Sequence, residues 1–324
     1  MKRHLFILLT LILGLVAPSK LMANSFSGQA TVVNANVLGL PPVVLGDTGP
    51  LPSEGGSQDG SLLEASVPSW LSVNVVHATT VAMGDASRSE AAVANLNLTV
   101  AGNNIGASFL MSRAEAHCSP AVFGNSDILE LVINNQTVAV SGAPNQTISL
   151  PGGGTVTINE QSQSVQGNQA GITVTALHVI VPGLADVAIA RAHADITCTG
   201  SLCPADKDFV TGGGRISTPS GKGTFGVAGG IKNGGYWGHL TFIDHGSGMK
   251  VKGTGVTGYE VLSDTRRRIK GTCEINGVSG YSYTAVVDDL GEPGRNDWFQ
   301  IDLTNGYGAA GNLEGGNIQL HTCK

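Results

Sequence analysis

The fold of this chain is indicated most clearly by residues 223–244, which read GTFGVAGGIKNGGYWGHLTFID. Two runs that contain β-branched and aromatic residues flank the turn Asn233-Gly234-Gly235. An Asn-Gly pair between such runs suits a type I′ hairpin, because both central residues of that turn need a positive φ. The stretch therefore predicts two antiparallel strands, Gly223–Lys232 and Trp237–Asp244.

The same pattern continues on both sides of this hairpin. Short runs of strand-forming residues alternate with turns such as His245–Gly248 and Asn276-Gly277. Sequential hairpins of this kind either close into a barrel or form an open sheet that folds on itself. Both forms remain open, and we favour the barrel. The other predicted strands are Phe209–Ser217, Lys250–Val261, Arg267–Ile275, Tyr281–Asp288, Trp298–Leu303 and Asn317–Thr322.

The first half of the chain also alternates with a period of two residues, which is typical of half-buried strands. Turn signals at Pro144-Asn145 and Pro151–Gly154 separate the runs. Many short strands with regular turns predict an antiparallel β-sandwich in this half. The apolar faces that carry the pattern are Leu96, Leu98 and Val100; Leu129, Leu131 and Ile133; and Val156 with Ile158.

Composition excludes several classes of protein. Glycine supplies 46 of 324 residues but follows no three-residue period, which excludes collagen. The chain is 41% hydrophobic and only 13% charged, so it can fill a core and is not intrinsically disordered. The formal net charge of −6 argues against a nucleic-acid partner.

Charge is distributed unevenly along the chain. Residues 24–203 contain three arginines, no lysine and twelve acidic residues, whereas residues 204–324 contain twelve basic and twelve acidic residues. Two compositions in one chain favour two separately folded domains. We therefore expect a β-sandwich domain over residues 24–203 and a glycine-rich β-meander domain over residues 204–324.

Residues 1–23 have the pattern of a secretory signal. Lys2 and Arg3 precede an apolar run from Leu5 to Ala17, and Ala23 is a small residue at a plausible cleavage position. The apolar run is shorter than the roughly 20 residues that a membrane-spanning helix needs. We expect an exported protein, at the cell surface or secreted, with no membrane insertion after cleavage of the signal.

Several motifs resemble a known bacterial family. The first half is similar to the choice-of-anchor P family, and the second half resembles a domain that commonly follows choice-of-anchor modules. The resemblance implies an exported protein of the cell surface and implies no particular activity. The motifs are Pro144-Asn145, Ile158–Gln161 and a strand ending at Cys198 in the first half, and Lys207–Gly214, Gly223–Gly226, Asp288–Asp297 and Gly315–Gln319 in the second.

Five cysteines in an exported protein predict disulfides with one thiol left over. Cys118 and Cys198 end strands of nearly the same pattern, in which alanines share the cysteine's face. If these strands are neighbours, the two thiols meet, so we predict a Cys118–Cys198 bridge. For the second bridge, pairing of the first and last strands of a barrel favours Cys203–Cys323, and Cys273–Cys323 is the alternative.

An acidic loop in the second half is the strongest candidate site. Asp288, Asp289, Glu292 and Asp297 lie within ten residues that also contain two glycines and a proline. Calcium takes six to eight oxygen ligands, and such a loop can supply several. We therefore predict a Ca²⁺ site that stabilises the hairpin. The alternative is a turn in which aspartates accept hydrogen bonds from backbone N–H groups.

Two weaker candidates come from face patterns. Glu115, His117, His193 and Asp195 share the face opposite the alanines, where they are either a transition-metal set or a solvated face with ion pairs. Trp237 and Trp298 are candidates for stacking on a sugar ring or a partner, because an indole ring offers a flat apolar surface. Packing at the core or its rim is the alternative for both.

No motif for a nucleophile, a catalytic zinc or a phosphate loop is present. We therefore expect a non-enzymatic binding or structural module of the cell surface or extracellular matrix, with glycans or proteins as partners. The alternative is a secreted hydrolase with an unrecognised carboxylate site.

The two compositions generate a test of domain organisation. Limited proteolysis is expected to cut within about ten residues of Cys203 and to leave a stable C-terminal fragment, because interdomain linkers are cleaved first. Mass spectrometry of the fragments locates the cut. Cleavage spread through residues 209–322 while the first half survives contradicts two separate cores.

Overall fold

A computed structural model describes residues 24–119, 121–199, 208–232 and 234–322. The predicted signal sequence, Cys203 and Cys323 lie outside these residues. The described part of the chain is nearly all β, with 74% of its residues in strands and antiparallel sheets throughout, so the predicted fold class is confirmed. No helix of the described residues is long and apolar enough to cross a membrane.

The described strands fall into three sheets. The strands are β1 (Ser25–Val37), β2 (Val43–Asp47), β3 (Gly56–Val67), β4 (Leu71–Met83), β5 (Ala86–Val100), β6 (Asn103–His117), β7 (Ala121–Leu129), β8 (Val132–Ile133), β9 (Gln136–Thr137), β10 (Gln146–Ser149), β11 (Thr155–Gln166), β12 (Gln169–Val181), β13 (Ala185–Thr197), β14 (Asp208–Thr218), β15 (Gly221–Lys232), β16 (Gly235–Asp244), β17 (Met249–Val261), β18 (Arg266–Ile275), β19 (Val278–Asp288), β20 (Trp298–Leu303), β21 (Gly308–Asn312) and β22 (Gly315–Thr322).

The first sheet has the order β10-β11-β12-β13-β1-β2, and the middle sheet has the order β3-β4-β5-β6-β8-β9, with β7 also paired to β6. The C-terminal sheet has the order β21-β20-β19-β18-β17-β16-β15-β14-β22.

The first and middle sheets pack face to face as a sandwich. Strand β13 contacts β5 and β6, β12 contacts β6 and β7, and β1 contacts β4 and β5. The core between them is aliphatic, with Val93, Leu110, Leu177 and Ile189 fully buried. The apolar residues of each strand therefore lie on the face that meets the other sheet, as their alternation predicts.

Cys118 and Cys198 form a disulfide with a Cα–Cα distance of 5.5 Å, as predicted. The expected reason was wrong, however. Their strands, β6 and β13, belong to different sheets and face each other across the sandwich instead of pairing edge to edge. Alanines pack beside the bridge, including Ala116 and Ala194. Because these side chains are small, the two sheets approach closely enough for the bridge to form.

One predicted strand of the first half is interrupted. Leu129 ends β7, whereas Ile133 belongs to β8, and Glu130 between them has a φ of +56°. This left-handed residue breaks the ladder, so Leu131 is buried outside either strand. Period-two alternation cannot reveal a reversal of this kind, because the side chains on both sides of the break remain apolar.

The C-terminal sheet confirms all eight predicted strands of the meander. It adds β21, whose sequence GAAGN has no apolar alternation. The sheet curls into a half-barrel and does not close, which corrects the preference for a barrel. Strands β14 and β22 do pair, with Asp208 opposite Thr322, but β21 and β22 are the two ends of the sheet and share no ladder.

Aromatic rings fill the concave side of the half-barrel. Phe225 stacks on Phe299 with ring centroids 3.7 Å apart, and Phe242 lies next to the same ring. Cys273 is a free, buried thiol in this cluster, as expected if it takes part in no bridge. The predicted Cys203–Cys323 bridge lies outside the described residues. The pairing of β14 with β22 brings together the strand ends nearest to those two cysteines.

The middle sheet is covered on its outer face by part of the C-terminal sheet. Strand β16 contacts β3 and β4, β15 contacts β4, and β14 and β22 contact β6. The molecule therefore has three layers where the halves meet. Beyond this contact, the outer face of the middle sheet is open.

The Cys118–Cys198 bridge closes a loop with a sequence separation of 80 residues. Replacing both cysteines by alanine is expected to lower the free energy of unfolding by about 3–4 kcal/mol, because the unfolded chain regains the entropy of the open loop. Urea titrations of the wild type and the double variant measure the change. Equal stabilities contradict a structural role for the bridge.

Candidate functional site

An open groove of about 760 Å³ runs across the uncovered end of the middle sheet. It lies over β4, β5, β6 and the start of the β8–β9 hairpin. We call it the amide groove, because asparagine side chains dominate its polar lining. The polar residues are Ser72, Asn74, Asn95, Asn97, Thr99, Asn104, Ser108 and Asn135.

Strand alternation explains why these residues line a groove. Leu96, Leu98 and Ile105 point into the sandwich core and are buried. Their polar neighbours must then point to the outer face, since successive side chains of a strand alternate. The ladder places Ser72 opposite Asn97, and Asn97 opposite Gly106. The glycine leaves the centre of the groove unobstructed.

The backbone is distorted at one end of the groove. Strand β5 has one extra residue near Asn95, and β4 has one extra residue near Val75. Asn95 has a φ of +48° and Val75 a φ of +45°. For a β-branched residue this conformation is a true outlier, and it costs free energy that the surrounding structure must supply. Such strain concentrates at functional sites.

The two distortions change which side chains reach the outer face. Val75 and Ala94 pack with Ile243 of the C-terminal sheet in a small apolar cluster. Asn74 and Asn95 therefore stand at the border between the covered and the open parts of the middle sheet. Asn95 is fixed there by His245, whose Nδ1 lies 3.1 Å from the Asn95 Nδ2.

Hydrogen bonds within the groove are sparse. Thr99 Oγ1 donates to Asn104 Oδ1 at 2.9 Å, and Asn97 Nδ2 contacts the Asn95 carbonyl at 3.4 Å. The side chains of Asn74 and Asn135 make no hydrogen bond to another described residue. The groove lining contains no charged residue. It thus offers neutral donors and acceptors, a combination that suits the hydroxyl groups of a ligand.

The part of the middle sheet that the C-terminal sheet covers also carries polar side chains, but these are largely shielded from solvent. Asp59 Oδ2 accepts from His239 Nδ1 at 2.7 Å, and His239 Nε2 lies 2.9 Å from His77 Nδ1. His239 Nδ1–H donates a hydrogen bond to the Asp59 carboxylate. The other ring nitrogen, His239 Nε2, therefore accepts a hydrogen bond from His77 Nδ1–H. His77 is fully buried, and this burial lowers its pKa to about 3. This chain joins the two halves of the molecule.

A second buried group lies further along the same contact. Glu90 is 3% exposed and accepts from Asn317 Nδ2 at 3.2 Å, while its other oxygen has no partner among the described residues. Burial raises the pKa of Glu90 to about 8, despite the nearby guanidinium of Arg113. The carboxyl group is therefore protonated at neutral pH. Burial likewise raises the pKa of Asp297 to about 7.

The acidic loop takes part in the contact between the halves. Glu292 forms an ion pair with Arg113 of β6, and Arg295 lies 3.4 Å from Asp127 of β7. Asp127 also accepts from the Gly316 N–H at 3.1 Å. The loop that the sequence singled out for calcium thus docks the C-terminal half onto the sandwich.

The carboxylates of this loop are bound by groups of the protein itself. Asp297 accepts from the N–H groups of Leu290 and Ile318, both at 2.8 Å. Asp289 accepts from the N–H groups of Gly291 and Leu320, and Asp288 pairs with Arg266. No group of three acidic, histidine or cysteine residues in the described part of the chain is arranged to hold a metal ion. These hydrogen bonds fit a turn capped by aspartates, while Asp288 Oδ1 has no partner among the described residues, and the Ca²⁺ site stays a prediction.

The other proposed metal set is divided between two faces. Glu115 and His117 lie on the middle sheet, where Glu115 contacts Arg88, His117 and Gln319. His193 and Asp195 lie on the first sheet, on the far side of the sandwich. The two pairs cannot share an ion, which corrects the transition-metal interpretation and leaves ion pairing on a polar face.

Both candidate tryptophans are half-buried and have neighbours on their rings. Trp237 meets Phe209 edge to face at 6.0 Å, with Lys232 Nζ 5.7 Å from its centroid. The Arg266 guanidinium lies 5.5 Å from the Trp298 centroid. Ligand stacking at either ring stays a prediction, and neither ring lines the amide groove.

Comparisons with known proteins add little to this geometry. No family model matches the chain, and no curated protein matches it significantly. The solved structure of a protein of Nitrosomonas europaea, provisionally assigned as AttH, aligns with this chain at 8% sequence identity. The alignment covers 91% of this chain and 92% of that one, but the TM-score of 0.20 is too low to support any inference.

The buried Glu90 generates a prediction about pH. Its pKa of about 8 exceeds the ordinary 4.5, so the folded state holds a proton that the unfolded chain releases. Its contribution to stability is complete below pH 4.5 and is lost as pH rises to 8. Between pH 7 and pH 8 the free energy of unfolding is expected to fall by about 1 kcal/mol on this account. The buried histidines act below about pH 6.5, where their protonation opposes folding, whereas Asp297, with a pKa of about 7, adds a smaller fall of the same sign.

Urea titrations at pH 7 and pH 8 measure this fall. Glu90→Gln keeps the acceptor for Asn317 and removes the titration, so this variant is expected to lose most of the pH dependence. The matched control is Glu54→Gln, which alters an exposed carboxylate. An unchanged fall in the Glu90 variant contradicts a protonated Glu90 in the folded protein.

Proposed function

We propose that this protein is an exported, non-enzymatic binding module whose amide groove holds a neutral glycan. The observation that carries the proposal is the uncharged lining of the groove, in which asparagine amides and hydroxyl groups converge on one open face. The disulfide and the all-β fold fit an extracellular protein. The secretory signal and the choice-of-anchor resemblance are consistent with a place at the cell surface.

The chemistry of the groove matches a sugar better than other ligands. Each sugar hydroxyl is both a donor and an acceptor, and an asparagine amide offers both in one plane. An acidic or basic ligand would find no opposite charge among the lining residues. The volume of about 760 Å³ lies within the range of small-molecule sites.

The backbone strain supports the same assignment. Val75 holds a left-handed conformation that only the packing around it can maintain, whereas Asn95 is of a residue type that tolerates this conformation. A rigid lining preserves affinity, because little side-chain or loop ordering is then needed on binding. The contact of Asn95 with His245 adds to this rigidity.

A hydrolase is the alternative, and the geometry favours it less. Glycoside hydrolysis requires two carboxyl groups flanking the scissile bond. No carboxylate lines the amide groove, and the carboxyl groups with raised pKa values, Glu90 and Asp297, are enclosed between the halves.

Binding is tested with neutral cello-, xylo- and malto-oligosaccharides by isothermal titration calorimetry. At least one series is expected to bind, and Asn97→Ala/Asn135→Ala is expected to weaken it about tenfold or more, because lost hydrogen bonds of this kind cost about 1 kcal/mol each. The control is Asn36→Ala, which changes an exposed asparagine on the first sheet.

Melting temperatures show whether the variants are folded. Equal binding by the double variant and the wild type would place the ligand elsewhere. Absence of binding to all three series contradicts the assignment of the groove to these neutral glycans.

A further inference from the structure

A second pocket lies on the outer face of the first sheet, on the far side of the sandwich from the amide groove. Its volume is about 300 Å³, and its lining differs from that of the groove because it contains positive charge. The lining residues are Gln29, Thr31, Asn34, Thr173, Arg191 and His193.

Strand register builds this pocket from two rows of side chains. Gln29, His193 and Thr173 lie opposite one another on β1, β13 and β12. The adjacent row places Arg191 between Thr31 of β1 and Thr175 of β12. Both basic side chains therefore stand on the central strand of the three, with polar neighbours on each side.

Arg191 differs from the other arginines of this half. Residues 24–199 contain three arginines and no lysine. Arg88 pairs with Glu115, and Arg113 pairs with Glu292. The side chain of Arg191 is exposed and makes no ion pair or hydrogen bond with any described residue. Its guanidinium thus keeps its donors for a ligand.

Two carboxylates share this face: Asp195 lies two residues beyond His193 on β13, and Asp47 of β2 already has donors. Asp47 Oδ1 accepts from Gln29 Nε2 at 2.8 Å, from Thr31 Oγ1 at 3.0 Å and from the Gly49 N–H at 3.2 Å. These bonds hold Gln29 and Thr31 at the wall of the pocket. His193 is held on the other wall, where its Nδ1 lies 2.9 Å from Thr173 Oγ1. Both walls of the pocket are therefore ordered before any ligand binds.

The backbone is strained immediately beside Arg191. Ala190 has a φ of +52° in the interior of β13, and neither neighbouring strand forms a ladder pair with it. Residues other than glycine and asparagine rarely adopt this conformation. The reversal separates Arg191 from Ile189, which is fully buried in the core.

We infer that this pocket binds the carboxylate of an acidic sugar through Arg191. A guanidinium presents parallel N–H donors that match the two oxygens of a carboxylate. The Thr173 hydroxyl, the Asn34 amide and the polar side chains in the same row as His193 can form hydrogen bonds with the remaining hydroxyl groups of the sugar. The inference does not depend on the amide groove, since the two sites lie on opposite outer faces of the sandwich.

The probe is D-glucuronate, and D-glucose is its uncharged analogue. Nuclear magnetic resonance titration of the full chain at low ionic strength is expected to show saturable shifts for glucuronate, centred on β12 and β13. Glucose is expected to cause none at these positions. Arg191→Gln should weaken glucuronate binding about tenfold or more, because an ion-paired hydrogen bond is lost.

Two further variants make the result specific. Arg191→Lys keeps the charge but not the paired donors, so it is expected to restore only part of the affinity. Arg268→Gln removes one charge from an exposed ion pair with Glu260 and is expected to bind like the wild type. Equal affinity in Arg191→Gln and the wild type, or no saturable shift on β12 and β13, overturns the proposal.

Discussion

The rest of the molecule depends on one constraint: polar groups on the outer face of the middle sheet need hydrogen-bond partners. Its inner face packs on the first sheet through an aliphatic core, but its outer face is largely polar, with small apolar clusters such as Val75, Ala94 and Ile243. Polar groups that lose water must find hydrogen bonds. The Asp59–His239–His77 chain and the Glu90–Asn317 bond meet part of this requirement where the C-terminal sheet covers the face, while His77 Nε2 and Glu90 Oε2 have no partner among the described residues. Where the cover ends, water or a ligand must do so, and there the amide groove begins.

This division also describes how the two halves are joined. The contact between them consists mainly of hydrogen bonds and ion pairs, including Glu292–Arg113 from the acidic loop. The aliphatic core of the sandwich and the aromatic core of the half-barrel remain separate clusters. A polar contact between two complete cores agrees with the different compositions of the halves. It also assigns the acidic loop a role in docking the two halves.

The sequence was informative about strands and less so about their arrangement. Turn chemistry located every strand of the C-terminal sheet except β21, whose glycines and alanines have no pattern. Alternation placed Cys118 and Cys198 on the same kind of face, but it could not tell neighbours in a sheet from partners across a sandwich. The acidic loop was conspicuous because its charges are close in sequence. The amide groove was missed, because its asparagines come from three strands and the β8–β9 turn and carry no charge. The polar faces of Asn95 and Asn97 were the available signal, and only the register of β4, β5 and β6 shows that they meet.

The account is tested most directly by hydrogen exchange of the whole chain with and without a mixture of neutral cello-, xylo- and malto-oligosaccharides. Amides of the strained segments around Val75 and Asn95, and of β6 from Asn104 to Ser108, are predicted to become protected, because a ligand in the groove covers and rigidifies them. The covered strands β14, β15 and β16 are predicted to remain unchanged. Protection confined to the C-terminal sheet, or no protection at all, would contradict a ligand-binding role for the open face of the middle sheet.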